Sequence, residues 1–253
     1  MIAALLVFLG SGAAVFTIRG TYKASRQGYA DAASEYTRRS DVESITVSGQ
    51  EGDGQADAGE TGKPPITVDF GRLQEDNPQV VAWLYCPDTS IDYPVTQGSD
   101  NEFYLHHAYT GAEDQSGAIF VDAQCSPGFV DANSMIYGHS MMDGSMFGGL
   151  EAWEKQEYYD GHPVMWLLTP QADYKVKLFS GYTTSAYSDT YTIFREPGSD
   201  FSDYIAQCLA QSDFAAADKP SGDGQYVVLS TCAYDFDEAR YVLHGRLELV
   251  GTR

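Results

Sequence analysis

Cys232 and Arg240 stand eight residues apart in the stretch from Tyr226 to Leu249, YVVLSTCAYDFDEARYVLHGRLEL. A thiol attacks a carbonyl only as its thiolate, and a free thiol titrates near 8.5, so a neighbouring cation is what makes a cysteine reactive at neutral pH. Arg240 supplies such a cation. Its planar fork is also suited to the oxyanion that forms when a thiolate adds to a peptide carbonyl, where one lost donor typically costs about 3 kcal/mol. A third group is needed to protonate the departing amine. His139 offers an imidazole for that step.

Each residue has a plainer reading. A lone cysteine is usually a small buried hydrophobe. His139 alone reads as a satisfied structural histidine. Arg240 alone reads as a surface charge paired with Asp237 or Glu238.

The elements around these residues bring them together. Tyr226 to Leu229 is an apolar run that ends in Ser230-Thr231-Cys232. From Arg240 the chain alternates, with Tyr241, Leu243, Leu247 and Leu249 on one face and Arg240, His244, Arg246 and Glu248 on the other, more polar face. Period two predicts a strand with one buried side. Two strands joined by the seven-residue loop Ala233–Ala239 form an antiparallel pair with Cys232 and Arg240 at its facing ends. Cross-strand neighbours lie about 5 Å apart at Cβ. In Ser134-Met135-Ile136-Tyr137-Gly138-His139, the residues Met135, Tyr137 and His139 share one face of a further strand.

The rest of the chain reads as a β-rich domain. Glycine (25) and tyrosine (18) are plentiful, and long helical periodicities are few. Strands are predicted at Val80–Tyr85, Ile91–Val95, Ala118–Asp122, Ser134–His139, Val164–Leu168 and Tyr174–Tyr182, besides the final pair. Short helical turns are expected at Val68–Gln74 and Glu151–Tyr159. Phe201, Tyr204, Ile205, Cys208 and Leu209 recur at helical spacing behind a Ser199 cap, which predicts one amphipathic helix. Seven or eight short strands point to a sandwich or a closed barrel.

Residues 1–18 contain no charged side chain, about the minimum for a membrane-spanning helix. An uncleaved single-pass anchor with the main domain outside the cell is expected. Arg19, Lys23 and Arg26 follow the apolar stretch and nothing basic precedes it, which runs against the positive-inside rule and predicts a short basic segment ahead of Met1. Residues 19–65 read as a polar juxtamembrane segment, helical in places up to Ile45, and a flexible acidic linker that includes SGQEGDGQADAGETGK at Ser48–Lys63. Residues 66–253 form the folded domain.

The net charge of −21 argues against nucleic acid as a partner. Cys86, Cys125, Cys208 and Cys232 form no C-x-x-C pair, so no metal or redox site is expected. One bridge among Cys86, Cys125 and Cys208 stays open.

Leu229-Ser230-Thr231-Cys232 followed by Arg240, with Tyr137-Gly138-His139 upstream, resembles the signature of sortases, the membrane-anchored cysteine transpeptidases of Gram-positive bacteria. VVAWLYCPDTSIDYPVTQGSDNEFYLHH, SGAIFVDAQC, MIYGHSMMDGSMFGGL and STCAYDFDEARYVLHGRL resemble class B sortases, in order, from about Asn77 to Val250. The resemblance implies a closed eight-stranded sortase-type β-barrel with an N-terminal helical segment and an extra helix, Asp200–Gln211, before the cysteine strand. It implies cleavage of a C-terminal sorting pentapeptide after its Thr through a thioacyl-enzyme, without a cofactor. The partners it implies are a secreted protein bearing the sorting signal and an amine of the peptidoglycan precursor or of a pilin.

By motif, Cys232 is then the nucleophile, His139 the acid/base and Arg240 the oxyanion or substrate ligand. Asn101 and Leu105 match groove positions, as do Tyr137, Ser230 and Thr231 beside the histidine and the cysteine. Two departures stand out. Tyr85-Cys86-Pro87-Asp88-Thr89 replaces the usual Gly-Thr turn, and Ser140 follows His139 where Asn is common. Two other readings stay open: a thiol peptidase that hydrolyses the same intermediate, and an anchored peptide-binding β-domain with an inert cysteine.

Overall fold

A computed structural model describes residues 20, 22–40 and 62–253. The anchor expected at 1–18 and most of the acidic linker lie outside the described residues. Among the described residues, no helix is long and apolar enough to cross a membrane.

Eight strands close into a barrel. Strands β1 (Thr37–Arg39) and β2 (Ile66–Val68) pair separately, antiparallel. The barrel strands are β3 (Val80–Tyr85), β4 (Asp92–Thr96), β5 (Ile119–Val121), β6 (Asn133–Tyr137), β7 (Val164–Leu168), β8 (Ala172–Ser185), β9 (Tyr226–Cys232) and β10 (Ala239–Thr252). Their order around the barrel is β10-β8-β7-β3-β4-β5-β6-β9, and β9 pairs with β10 to close it. Closure leaves no strand edge to template aggregation. The expected eight-stranded barrel is present. It is less uniform than expected, since β8 and β10 each run 14 residues.

Among the described residues, four α-helices decorate it: α1 (22–36), α2 (Phe70–Asp76), α3 (Gln156–Gly161) and α4 (Ser199–Gln211). Helix α1 lies on the body of the domain, with Tyr29, Ala32 and Tyr36 buried at helical spacing. Asp69 caps α2 by accepting from the backbone N–H of Arg72. The single stretch expected at Glu151–Tyr159 is instead a 3-10 turn, Leu150–Glu154, followed by α3.

Helix α4 buries Phe201, Tyr204, Ile205 and Cys208, as its spacing predicts. Its cap is Gly198 rather than Ser199. Ser199 is already helical, and the Gly198 carbonyl accepts from both the N–H and the hydroxyl of Ser202.

The alternation of β10 fails at one point. His244, expected on the outward polar face, is only 1% exposed. Its ring stacks on Tyr182 and its Nε2 meets the Tyr204 hydroxyl at 3.2 Å and Cys208 Sγ at 3.5 Å. The reason is that α4 covers this part of the outer face. A register shift between His244 and Gly245 follows at once. A Cβ on Gly245 would lie 2.3 Å from Val176, so only glycine fits there. Beyond the shift, Arg246 pairs with Asp218 and Glu248 with Lys177 at the surface.

All four cysteines are free, so the bridge left open among Cys86, Cys125 and Cys208 is not formed. Burial pushes these three thiols up, to about 12, 11 and 11. They behave as packed hydrophobes. Cys232 is the half-exposed one.

Candidate active site

Strand direction delivers the three candidate residues, Cys232, His139 and Arg240, to one rim of the barrel. β6 and β9 are parallel neighbours, with Tyr137 opposite Ser230. Their C-terminal ends therefore leave the barrel together. Cys232 is the last residue of β9, and His139 lies two residues beyond β6. β10 returns antiparallel, and Arg240 is the direct partner of Cys232.

Between β6 and β9 the junction is tightly fixed. The Gly138 N–H donates to the Ser230 carbonyl at 3.2 Å, and the Thr231 hydroxyl donates to the Gly138 carbonyl at 2.8 Å. A Cβ on Gly138 would meet Ile119 at 2.5 Å and Phe147 at 2.8 Å. Gly138 thus lets β6 approach the core just before His139. Thr231 is buried with its hydroxyl committed to the backbone, so it shapes the site more than it offers a free donor.

The imidazole of His139 is held by main chain. Its Nε2 lies 2.8 Å from the carbonyl oxygen of Leu105. A carbonyl only accepts, so Nε2 carries a proton in this contact. Nδ1 is left as the ring nitrogen for proton exchange. Leu105 ends a 3-10 turn, Phe103–Leu105, whose start is capped by Asp100: its carboxylate accepts from the N–H groups of Glu102 and Phe103. Those two bonds hold the Asp100 carboxyl below its ordinary range.

A cavity of about 520 Å³ joins the expected residues. Cys232, His139 and Arg240 line it, and so do Asn101, Leu105, Tyr137, Ser230 and Thr231. Asn101 has its side-chain oxygen taken by the Ala123 N–H, which leaves its amide nitrogen as the donor. Tyr137 donates to Asp122 at 2.9 Å. Burial and the adjacent Asp122 carboxylate push its phenol well above the ordinary range, so it remains an –OH.

Four further lining residues carried no sequence signal: Glu102, Phe120, Ala186 and Tyr191. Tyr191 ends a 3-10 turn after β8, and its hydroxyl bonds the Ser230 hydroxyl at 2.8 Å. Burial raises its pKa, while the Ser230 bond and the Arg240 charge oppose the rise. Only tertiary packing brings Tyr191 here.

Arg240 and Cys232 also border a second cavity of about 440 Å³ on the loop side, with Tyr234, Phe236, Asp237 and Glu238. Cys232 thus stands between the two cavities. Glu238 takes one arm of the guanidinium, with Nη2 to Oε2 at 3.0 Å. The other arm donates to the Ala239 carbonyl at 2.9 Å.

The sequence matches the sortase domain family over residues 84–248. A sortase B of Listeria monocytogenes is 37% identical over 179 residues, covering 69% of this chain and 72% of that protein. A sortase B of Staphylococcus aureus is 27% identical over 68% of this chain and 71% of its own length. Solved structures agree. A sortase B from B. anthracis superposes with a TM-score of 0.73 at 26% identity, over 90% of this chain and 98% of that one. The S. aureus sortase B crystal structure gives 0.68 at 27% identity, over 72% and 87%. With this match over most of the chain and this shared barrel, the chain belongs to the sortase family of cysteine transpeptidases and resembles its class B.

Proposed function

We propose that this transpeptidase cleaves a C-terminal sorting pentapeptide after its Thr and passes the acyl group to an amine of the cell-wall precursor or of a pilin. The observation that supports this most is the pairing of Cys232 with Arg240 across the strand pair, in one cavity with His139.

Cys232 is the nucleophile. Its thiol first gives its proton to Nδ1 of His139; the thiolate then adds to the Thr carbonyl carbon, and the carbonyl electron pair moves to oxygen. Arg240 donates to that oxyanion. The C–N bond then breaks, and the departing amine takes a proton from Nδ1 of His139, because Nε2 is held at Leu105. A thioacyl-enzyme and a neutral imidazole remain. The acceptor amine adds to the thioester, loses its proton to Nδ1, and expels Cys232 as thiolate. Two cavities that both border Cys232 suit a reaction with two substrates.

Asn101, Leu105, Tyr137 and Ser230 line the side taken by the sorting peptide, and Thr231 braces it. The apolar stretch 1–18 supports a single-pass membrane anchor with the catalytic domain, residues 66–253, outside the cell. Within 19–65, α1 and β1 pack onto that domain and belong with it.

A fluorogenic pentapeptide library with Thr fixed at position four tests this reading. Intact-mass detection of a thioacyl adduct on Cys232, discharged faster by added triglycine and giving the amide product, is the expected result. Discharge that yields only the free acid, whatever the amine, would convert the reading to a thiol peptidase. A Cys232 that forms no adduct and alkylates no faster than a free thiol would remove catalysis altogether.

A further inference from the structure

We propose that Tyr29 and Gly117 are positioning residues for His139, acting through the backbone carbonyl of Leu105. The proposal rests on the reading of His139 as the acid/base.

The contacts run in series from the N-terminal helix to the imidazole. Tyr29, on α1, is 4% exposed and donates its hydroxyl to the Gly117 carbonyl at 2.7 Å, across 88 residues of sequence. The Tyr29 hydroxyl oxygen in turn accepts from the Tyr109 N–H at 3.3 Å. Burial raises the Tyr29 phenol far above its ordinary range, so it stays a donor at any working pH. Its ring is wedged edge-on against Tyr93 at 5.4 Å.

Gly117 lies directly against the turn that holds His139. A Cβ there would stand 2.6 Å from the Tyr104 carbonyl oxygen and 2.8 Å from that of Leu105. Its φ of +59° is the left-handed region that glycine tolerates best. The Gly117 N–H is fixed to the Asp114 carbonyl at 3.0 Å, and the next N–H, of Ala118, binds the Tyr104 carbonyl at 2.9 Å. The Leu105 carbonyl thus lies close against Gly117 and also takes His139 Nε2. In many cysteine and serine hydrolases a carboxylate selects the tautomer of the histidine. Here a backbone carbonyl does so, and its placement depends on a packed main-chain stack that ends at α1.

Tyr36 supplies the control. It sits on the same helix, is equally buried, and donates instead to Asp76 at the end of α2. Tyr36→Phe loosens α1; the hydroxyl it removes meets Asp76 and the Tyr109 side chain, not Gly117 or the carbonyls of Tyr104 and Leu105.

The experiment uses the full-length chain labelled with ¹⁵N-histidine. His139→Gln identifies the His139 signals among the five histidines. In the parent protein the Nε2–H tautomer should dominate, with slow exchange of its proton. In Tyr29→Phe and Gly117→Ala the Nε2 signal should move toward the averaged tautomer position and its proton should exchange faster. Tyr36→Phe should lower the melting temperature and leave His139 unmoved. If Gly117→Ala does not fold, Tyr29→Phe, which keeps the ring, decides. Unchanged His139 signals in Tyr29→Phe, or an equal change in Tyr36→Phe, would overturn the proposal. This readout needs no turnover. Full activity in His139→Gln would sink the catalytic reading alone, while unmoved resonances would sink the positional link alone.

Discussion

Arg240 and Glu238 are held together at 3.0 Å, two residues apart in the chain, beside the thiol that Arg240 faces across the strands. Glu238 reaches this position from a left-handed backbone, at φ +58°. Its carboxylate competes with any oxyanion for the same guanidinium. The pair is partly exposed, at 26% and 52%, so the competition is worth no more than about 1 kcal/mol. Glu238→Gln should therefore speed alkylation of Cys232 by anionic iodoacetate relative to neutral iodoacetamide, by up to about fivefold. Asp237→Asn, in the same loop, should leave that ratio near its parent value. The two second-order rate constants, measured at fixed ionic strength, check this.

Arg240→Lys keeps the charge and loses the fork. A planar two-pronged donor cannot be replaced by a point charge on a flexible stem. A loss of about 100-fold in kcat/KM on the selected peptide is expected, near the usual cost of one oxyanion donor. Cys232→Ala should abolish turnover with an unchanged circular dichroism spectrum. Near-parental rates for Arg240→Lys would return Arg240 to the role of a surface charge held by Glu238.

Gly138→Ala should damage both stability and activity. The added methyl meets the buried side chains of Ile119 and Phe147 well inside contact distance. Overpacking of this kind costs about 1–3 kcal/mol. Urea unfolding should show the loss in the midpoint, with the slope unchanged. Peptide cleavage should fall further than the unfolded fraction accounts for, because the strain falls one residue before His139.

Burial lowers the pKa of His244 to about 3. The unfolded value is near 6.5. The imidazole is therefore neutral in the native state, and the unfolded chain binds the extra proton. Its contribution is fully present above pH 6.5 and is lost as the pH falls from 6.5 toward 3, at up to about 1.4 kcal/mol per unit. His244→Phe keeps a ring against Tyr182 and removes the titration. Unfolding free energies at pH 7, 6, 5 and 4 should fall more steeply for the parent than for the variant. Equal slopes would exclude His244 as the source.

Removal of residues 1–63 should leave the barrel folded and less stable. It strips Tyr29, Ala32 and Tyr36 from the core and leaves β2 without its partner β1. A loss of about 3 kcal/mol or more is expected from the buried rings alone. A truncation at residue 20 should lose little. Thermal melts of the two forms compare them directly.

Much of this was legible in the residues. Val80–Tyr85 and Val164–Leu168 are apolar runs bounded by turns, and they became strands with those bounds. The Cys232–Arg240 pairing followed from alternation and loop length, and Glu238 as a partner for Arg240 followed from proximity. What stayed hidden depends on elements distant in sequence. His244 reads as an outward polar residue until α4 covers it. Tyr191 reaches Ser230 only through the turn after β8. The hold on His139 is a backbone carbonyl, which no side-chain pattern encodes. Tyr29, Ala32 and Tyr36 do fall at helical spacing, but tyrosine and alanine make a weak apolar stripe.

The Thr231 hydroxyl and the Gly138 carbonyl meet across 93 residues of chain. Closing a loop of that span costs more chain entropy than closing a short one. β10, which brings Arg240, comes later still in the chain. A partly made or partly refolded molecule thus has a cysteine, a histidine and an arginine with no common space between them. The three share one space only where β6, β9 and β10 lie side by side in the closed ring.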